Sequence, residues 1–280
     1  MSKSYFYVGV SNVAKKVDVA YVGVSNVAKR IKKVYVGNSS GTATLLYNGP
    51  TVNVAPAYRQ VEYLQSTGTQ YIKTGVNGTM GIKCEAVVEF TSLTGTASEQ
   101  LTSGKYSTLI GGRMATTQDG GYQHYRISAW NDTANSRVRW RMTNMKDVDS
   151  SLYSTVAPVV NTKYTIVATS VSGQQDLYVN GSKVLGRTLT PSANSYETQL
   201  TLFACNDLYA GVVCEYSKVK IYKFKIYKWS NSAWSLVRNF YPCYRKSDNM
   251  RGLYDIVNSK FYTNEGTGTF SIGSIYEATL

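Results

Sequence analysis

Residues 163–185 read KYTIVATSVSGQQDLYVNGSKVL, and this stretch decides the fold class of the chain. The side chains from Tyr164 to Thr169 fall into two alternating sets, Tyr-Ile-Ala and Thr-Val-Thr, which is the period of a pleated β-strand. Gly173 ends that run, and Asn180-Gly181 separates two further short strands. An Asn-Gly pair favours a type I′ turn, because both central residues of that turn need positive φ. The stretch therefore predicts three consecutive antiparallel strands, with Val179 paired to Ser182, Tyr178 to Lys183 and Leu177 to Val184.

The rest of the chain shows no helical periodicity, so we predict an all-β protein. Further strands are predicted at residues 82–90, 107–110, 125–130, 137–142, 199–205 and within 212–229. In the last of these, lysines alternate with apolar residues, and the alternation slips by one between Ile221 and Tyr222. A β-bulge there would keep the apolar residues on one face. Lysines interleaved with aromatics also occur in nucleic-acid grooves, but a half-buried strand with a solvated lysine face is the interpretation we prefer.

The length of 280 residues allows one large β domain and a smaller unit, and 43% hydrophobic residues exclude a disordered chain. No apolar run reaches the length of a membrane helix, so no membrane partner is expected. The start, MSKSYFYVGVSNVAKK, lacks the apolar region and cleavage site of a signal peptide. We therefore expect folding in a cytoplasm and release by another route, such as lysis.

The cysteines exclude a zinc site with two-residue spacing. None of Cys84, Cys205, Cys214 and Cys243 forms a CxxC pair, and His124 is the one histidine of the chain. Cys205 and Cys214 could face each other across neighbouring strands. Cytoplasmic synthesis favours free, buried thiols over a disulfide.

The first 56 residues contain a 14-residue repeat. YVGVSNVAK begins at Tyr7, recurs unchanged from Tyr21, and a degenerate copy opens at Tyr35. Each copy predicts short strands around a Ser-Asn turn and is too short to bury a core, so neighbouring copies or other chains must complete one. Gly49-Pro50 and Ala55-Pro56 follow the repeats and predict a linker. We divide the chain into a repetitive segment, 1–56, and a second domain, 57–280.

The repetitive segment is basic. It carries seven lysines and arginines against one acid, a net charge of +6 out of the chain's +13. We expect it to serve attachment or oligomerisation through Lys15, Lys16, Lys29, Arg30, Lys32 and Lys33. The alternative is an independently folded, monomeric β-meander. The overall charge favours an anionic partner or simply a soluble lysine-rich surface. Nucleic-acid binding is not expected, because no arginine-rich recognition helix or aromatic RNA-binding signature occurs.

Two stretches that flank the second domain resemble a known module. Residues 58–76, YRQVEYLQSTGTQYIKTGV, and residues 240–270, FYPCYRKSDNMRGLYDIVNSKFYTNEGTGTF, resemble the opening and ending of laminin-G-like (concanavalin A-like) domains in phage and prophage structural proteins. The stretch 163–185 resembles the central strands of the same domains, and the 14-residue repeats resemble short modules that precede them. The resemblance implies a two-sheet jelly-roll sandwich in which the terminal strand packs near the entry strand.

The resemblance also implies a role. A virion protein of this family would be assembled in the host cytoplasm and contact other capsid or tail proteins through its first segment. Closed symmetry is common in such assemblies, so a homo-oligomer, preferably a homotrimer, is expected. The displayed jelly roll would bind host surface polysaccharide weakly, with avidity from several copies. The alternatives are a capsid decoration without a ligand, a carbohydrate-active enzyme and a bacterial adhesin.

Jelly-roll lectins bind sugars with aromatic and amide or acidic side chains of rim loops, and the resemblance places candidates here. They are Tyr122, Trp130, Asn131, Asp132, Asn206, Asp207 and Tyr209. The two Asn-Asp pairs also supply the oxygen ligands that Ca²⁺ prefers, although Asx turns use the same residues. No other cofactor is expected.

Catalysis is not expected from the acidic residues. Glu85 and Glu89 are four residues apart on one predicted strand, which separates them by about 13 Å, whereas a retaining glycosidase pair needs roughly 5 Å. Asp147 and Asp149 lie in a polar, turn-like stretch, and His124 has a Gly-rich surrounding and no evident catalytic partner.

Overall fold

The computed structural model describes residues 52, 54–78, 81–96, 106–116, 121–132, 137–143, 153–171, 173–188, 198–208 and 211–276, and six strands before residue 50. Those six are β1 (Tyr7–Val10), β2 (Val13–Lys16), β3 (Tyr21–Val24), β4 (Val27–Arg30), β5 (Lys33–Gly37) and β6 (Ala43–Asn48). Each consecutive pair forms its own antiparallel two-stranded sheet. Val10 pairs with Val13 and Val24 with Val27, so each of the first two repeats folds as two short strands separated by the Ser-Asn pair, as predicted.

The remaining strands follow in chain order. They are β7 (Tyr58–Gln60), β8 (Leu64–Gln65), β9 (Ile72–Gly78), β10 (Ile82–Thr96), β11 (Tyr106–Thr116), β12 (Gly121–Asp132), β13 (Arg137–Thr143), β14 (Lys163–Val171), β15 (Gln174–Val179), β16 (Ser182–Thr188), β17 (Thr198–Leu202), β18 (Cys205–Asp207), β19 (Val212–Cys214), β20 (Tyr216–Ser230), β21 (Ala233–Arg245), β22 (Arg251–Asp255), β23 (Lys260–Thr263) and β24 (Ser271–Ile272). They form two curled sheets packed as a jelly-roll sandwich, which confirms the predicted fold class.

The larger sheet has the strand order β16-β15-β14-β10-β20-β21-β22-β23, with β7, β8 and β24 joined at its side. The smaller sheet has the order β13-β12-β11-β17-β9, with β18 beside β11 and β19 beside β18. Their inner faces enclose a core in which the largest side chains are Phe90, Tyr125, Trp140, Phe203, Phe224, Phe240 and Phe270. Among the described residues, no helix has the length and apolarity needed to cross a membrane.

The three central strands form as predicted from residues 163–185. Tyr164, Ile166 and Ala168 are buried. Asn180 and Gly181 have φ values of 51° and 82°, as their turn requires. The register confirms Val179–Ser182 and Tyr178–Lys183, but the third predicted pair is wrong: Leu177 lies opposite Leu185, not Val184. The register shifts between Leu177 and Tyr178 and leaves Val184 of β16 as an extra residue, which brings Leu185 rather than Val184 into the core.

The predicted bulge in β20 is confirmed. Opposite β10, Val87 pairs with Lys223 and Val88 with Ile221, which leaves Tyr222 as the extra residue. Ile221 and Phe224 are thereby both fully buried. The predicted strand 199–205 is wrong in its continuity, because it divides into β17 and β18. Phe203, between them, has a φ of 70°, and a strand residue cannot adopt that value.

Chain closure also follows the prediction. Ile272 of β24 pairs with Leu64 of β8, so the terminal strand lies beside the entry strand. Cys205 and Cys214 face each other in neighbouring strands, and all four cysteines are buried and free, as expected.

Candidate ligand-binding site

The face of the smaller sheet that points away from the core is unusually polar, and we call it the outer face. In β12, Tyr125, Ile127 and Ala129 belong to the core, so Arg126, Ser128 and Trp130 occupy the opposite side. In β13, Trp140 and Met142 belong to the core, so Arg139, Arg141 and Thr143 occupy the opposite side. The pairing of the two strands sets Arg126 opposite Thr143, Ser128 opposite Arg141 and Trp130 opposite Arg139. The outer face therefore carries a continuous block of six polar or aromatic side chains.

Aromatic rings and guanidinium groups stack on one another across this block. Trp130 and Tyr153 are stacked with their centroids 3.9 Å apart and an angle of 27° between the rings. The guanidinium carbon of Arg141 lies 5.2 Å from the Tyr153 ring and 4.8 Å from the Tyr106 ring. The guanidinium carbon of Arg126 also lies over the Tyr106 ring, 4.1 Å from its centroid. We call these five side chains the aromatic–arginine ladder.

Tyr153 reaches the ladder because its backbone extends the sheet. It forms an isolated antiparallel bridge with Arg141. Next to it, the backbone N–H of Ser154 donates to the carbonyl of Trp140 at 3.0 Å, and the Trp140 N–H donates to the Ser154 hydroxyl at 3.1 Å. These bonds hold the residue after Tyr153 against the edge of β13, so the ring comes to lie over Arg141 and Trp130.

A buried ion cluster adjoins the ladder. Arg126 donates to the Glu215 carboxylate, and these side chains are only 3% and 4% exposed. Arg113 donates through Nε to Asp207 at 2.8 Å and lies 3.7 Å from Glu215. The Thr108 hydroxyl donates to Glu215 at 3.2 Å. The cluster links β11, β12 and β18 to the junction between β19 and β20.

Glu215 is directed into the cluster by its backbone and kept ionised there. Its φ of 53° turns the chain between β19 and β20, and its carbonyl accepts from the Thr108 N–H at 3.2 Å. Burial alone would raise the pKa of Glu215, but the charges and hydrogen bonds of Arg126, with Arg113 and Thr108, outweigh it and lower that pKa. The same carboxylate contributes to raising the pKa of Arg126 against the opposing effect of burial.

Several buried polar atoms of the outer face have no hydrogen-bond partner in the protein. They include Nε of Arg126, the Ser128 hydroxyl and the Thr143 hydroxyl. Arg126 is 3% exposed, and the two hydroxyl residues are 0% exposed. Because unpaired buried polar groups are costly, these atoms need a partner such as water or a bound molecule. The face therefore combines partly exposed aromatic rings with unused hydrogen-bonding capacity.

The sequence-predicted site residues are divided between two parts of the smaller sheet. Trp130 belongs to the ladder and lies opposite Tyr106, and Asn131 and Asp132 end the same strand. Asn206 and Asp207 lie beside Gly112 and Arg113. The two positions are six residues apart along β11, about 20 Å. Tyr122 lies opposite Ala115 near the second position, and Tyr209 is outside the described residues.

Asn206 and Asp207 are engaged within the protein. The Asn206 amide donates to the Gln199 carbonyl at 3.0 Å, and Asp207 accepts from Arg113 in the ion cluster. Across the part of the chain that the structure describes, no group of three or more His, Cys, Asp and Glu side chains is placed to hold a metal ion. The side chains of Asn131 and Asp132 lie outside the described residues. Ca²⁺ binding there stays a prediction.

Sequence reasoning identified Trp130 and missed its surroundings. The missed residues are Tyr106, Arg113, Arg126, Arg139, Arg141, Tyr153 and Glu215. One signal was available: RVRWRM places arginine at alternate positions, and RISAW alternates Arg126, Ser128 and Trp130 with apolar residues. Two neighbouring strands of that kind indicate a polar sheet face. The contributions of Tyr153 and Glu215 had no comparable local signal.

The carboxylates considered for catalysis are tied to cations. Glu85 is 3.0 Å from Lys83 Nζ and accepts from the Tyr227 hydroxyl at 2.9 Å. Glu89 accepts from Lys220 Nζ at 2.6 Å. Burial alone would raise the pKa of each glutamate, but these hydrogen bonds and charges lower it. A lowered pKa is opposite to what a general acid requires. Asp147, Asp149 and the side chain of His124 lie outside the described residues.

The basic residues predicted for attachment lie on or beside the first strands. Lys15 and Lys16 end β2, Lys29 and Arg30 end β4, and Lys33 begins β5. Lys32 is outside the described residues. The repeat thus places a basic dipeptide at the end of the second strand in each of its first two copies.

The fold defines a jelly-roll β-sandwich protein. No protein-family model matches the chain, and no curated protein sequence matches it. A candidate carbohydrate binding protein from Bacteroides ovatus is similar in structure, with a TM-score of 0.48 and 12% identity over 85% of this chain and 68% of that chain. The native heptameric SAP-like pentraxin from Limulus polyphemus gives a TM-score of 0.46 and 10% identity over 82% of this chain and 99% of that chain. A Trypanosoma rangeli sialidase mutant displaying trans-sialidase activity gives a TM-score of 0.36 and 17% identity over 55% of this chain and 22% of that chain.

Proposed function

We propose that the chain is a phage or prophage virion protein, a fibre or decoration protein of the head or tail, whose jelly roll binds host surface glycans through the outer face. One observation carries the glycan-binding part. The partly exposed Trp130–Tyr153 stack lies beside buried hydroxyl and guanidinium groups that have no protein partner. The virion part is supported by the resemblance of residues 58–76 and 240–270 to phage modules.

The chemistry of the face suits a sugar. Ligand sites typically combine aromatic surface with a small number of placed polar groups that fix orientation. Trp130 offers a broad, flat, apolar ring for one face of a pyranose. Arg126, Ser128 and Thr143 carry unpaired polar atoms that are buried behind the rings, and these atoms would reach the sugar hydroxyls through ordered water. The rings of Tyr106 and Tyr153 add further aromatic surface close to Arg141.

The repetitive segment supplies the proposed attachment. Three small two-stranded sheets with basic strand ends would contact other capsid or tail proteins and bring several copies together, preferably as a homotrimer. A weak site repeated in an oligomer gains avidity when several copies bind one surface. Virion assembly in the host cytoplasm is part of the same proposal.

The test is binding of the full-length protein to polysaccharides extracted from candidate host cells, measured by biolayer interferometry. Trp130→Ala should weaken binding about 5- to 150-fold, if a sugar ring gains the roughly 1–3 kcal/mol that a nucleic-acid base gains by stacking on an aromatic side chain. Trp229→Ala is the matched control, since Trp229 is also partly exposed, at 38%, but lies in the larger sheet. It should leave binding unchanged.

Two further outcomes bear on the proposal. Saturable binding that EDTA abolishes would support a Ca²⁺ site at Asn131 and Asp132. If the full-length oligomer binds none of the polysaccharides, the glycan proposal is wrong, and a capsid decoration without a ligand becomes the better description. Cryo-electron microscopy of particles would test the virion role separately.

A further inference from the structure

We infer that the glycan bound by the outer face is acidic, and that Arg139 binds its negatively charged group beside Trp130. The inference rests on the proposed function and names the ligand class. The chemistry common to the candidate ligands is an anionic oxygen group on a saccharide, either the carboxylate of a uronic acid or a phosphodiester.

Arg139 differs from the other arginines described on this face. Arg113 is bound to Asp207, Arg126 to Glu215, and Arg141 lies between the rings of Tyr106 and Tyr153. The side chain of Arg139 makes no hydrogen bond, ion pair or ring contact with the part of the protein that the structure describes. It is partly exposed, so its guanidinium group is available to a ligand.

The strand register places this free cation next to the stacking residue. Arg139 lies directly opposite Trp130 in the pairing of β12 with β13. Directly opposite residues on one face of an antiparallel pair have their Cβ atoms about 4.5–5.5 Å apart. A sugar ring stacked on Trp130 would therefore hold a charged substituent within reach of Arg139. A planar guanidinium group binds carboxylate or phosphate oxygens with two parallel hydrogen bonds.

The buried groups beneath the ladder favour the same ligand class. Nε of Arg126 can only donate a hydrogen bond, and it has no protein acceptor. The Ser128 hydroxyl, also unpaired, is on the next outward position between Arg126 and Trp130. Anionic oxygens accept several hydrogen bonds at once and accept them more strongly than neutral groups do. Both atoms are buried, so we expect them to act on an anionic group through an ordered water, while Arg139 contacts it directly.

The experiment compares ligands that differ only in charge. The full-length protein is titrated calorimetrically with oligogalacturonate, with the same oligomer after reduction of its carboxyl groups to alcohols, and with a glycerol-phosphate polymer. We expect the wild-type protein to bind at least one of the two anionic ligands about tenfold more tightly than the reduced oligomer, because hydrogen bonds to charged groups are the stronger ones. Added salt should reduce the difference in affinity between the anionic ligands and the reduced oligomer.

Arg139→Gln should remove the preference, so that acidic and reduced oligomers bind equally, while binding of the reduced oligomer stays unchanged. Arg245→Gln is the matched control, because Arg245 is an exposed arginine of the larger sheet that pairs with Asp248.

A preference that survives Arg139→Gln would overturn the role of Arg139. Equal binding of charged and reduced ligands by the wild-type protein, lost in Trp130→Ala, would overturn the inference and leave the proposed function intact. Absence of binding to all three ligands would overturn the inference, whereas the proposed function is overturned only if the host polysaccharides also fail to bind.

Discussion

Arg126 and Glu215 form a hydrogen-bonded ion pair in which both side chains are almost completely buried. The pair joins the middle of β12 to the residue that separates β19 from β20, across 89 positions of sequence. Glu215 also accepts from Thr108 and lies near Arg113. The ion pair therefore connects Arg126 of the aromatic–arginine ladder to β11 and to the junction between β19 and β20.

Glu215→Gln should destabilise the protein by about 3–5 kcal/mol, because it leaves the buried Arg126 without its counter-charge. Urea unfolding at pH 7 measures the loss. Glu265→Gln is the control, since the Lys73–Glu265 pair is 40% and 41% exposed and should contribute no more than about 1 kcal/mol. Similar losses for both variants would contradict the assignment of a buried, structurally important pair.

The same carboxylate should make stability depend on pH. The pKa of Glu215 in the folded protein is below its ordinary value of 4.5, so the unfolded chain binds its proton first as the pH falls. The stabilisation is complete above about pH 5 and is lost as the pH falls through the folded pKa. The difference in unfolding free energy between wild type and Glu215→Gln should therefore shrink between pH 7 and pH 3. A constant difference over that range would refute this expectation.

The thiols should be unreactive in the folded protein. Burial raises the pKa of Cys84 to about 12 and that of Cys243 to about 12, so almost no thiolate exists at pH 8. Iodoacetamide at pH 8 should leave all four cysteines unmodified in buffer and alkylate all four in urea, as read by mass spectrometry. A Ser182→Cys variant, at an exposed strand position, should react without urea and serves as the positive control. Rapid labelling of the native wild type would contradict the described burial.

Deleting Tyr222 should leave the fold intact. Tyr222 is the extra residue of the bulge, and without it Ile221 and Phe224 keep strict alternation with Lys223 between them. We expect a loss of about 1–2 kcal/mol from its hydrogen bond to Glu89 at 2.8 Å and its ring contact with Tyr63.

Deleting Lys225 is the matched comparison, because it would move Ile226 and the following residues to the opposite face of β20. That variant should fail to fold, as judged by near-ultraviolet circular dichroism and solubility. If the two deletions behave alike, the bulge does not determine the register of β20.

Local patterns were sufficient for the central strands. Alternation around Tyr164 and the Asn180-Gly181 turn act within a few residues, so the sequence predicted the strands and the two residue pairs next to the turn, but not the irregularity that pairs Leu177 with Leu185. The bulge at Tyr222 was predictable in the same way, because the alternation of lysines with apolar residues shifts by one position there. The prediction failed where a distant contact decides the backbone. Phe203 interrupts its strand because its N–H donates to the carbonyl of Leu109 at 2.9 Å and its ring packs on Phe270 at 4.9 Å.

The candidate site could be predicted only in part. Trp130 was identifiable as an aromatic near a strand end. Its separation from Asn206 and Asp207 could be recognised only from the position of β18 beside Gly112, about 20 Å from Trp130 along β11. The side chains that do surround Trp130 come from strands separated from it by intervening sequence.

The sequence alone determined an all-β chain with a basic repeat and a bulged, lysine-bearing strand, because strand periodicity and turn chemistry are properties of neighbouring residues. Tertiary structure decided which arginine of the outer face contacts an aromatic ring and which forms an ion pair with a carboxylate. Contacts across a sheet depend on strand register and on elements such as Tyr153 and Glu215 that approach from elsewhere in the chain. For that reason, the occupied and free arginines of the outer face could be distinguished only in the folded protein.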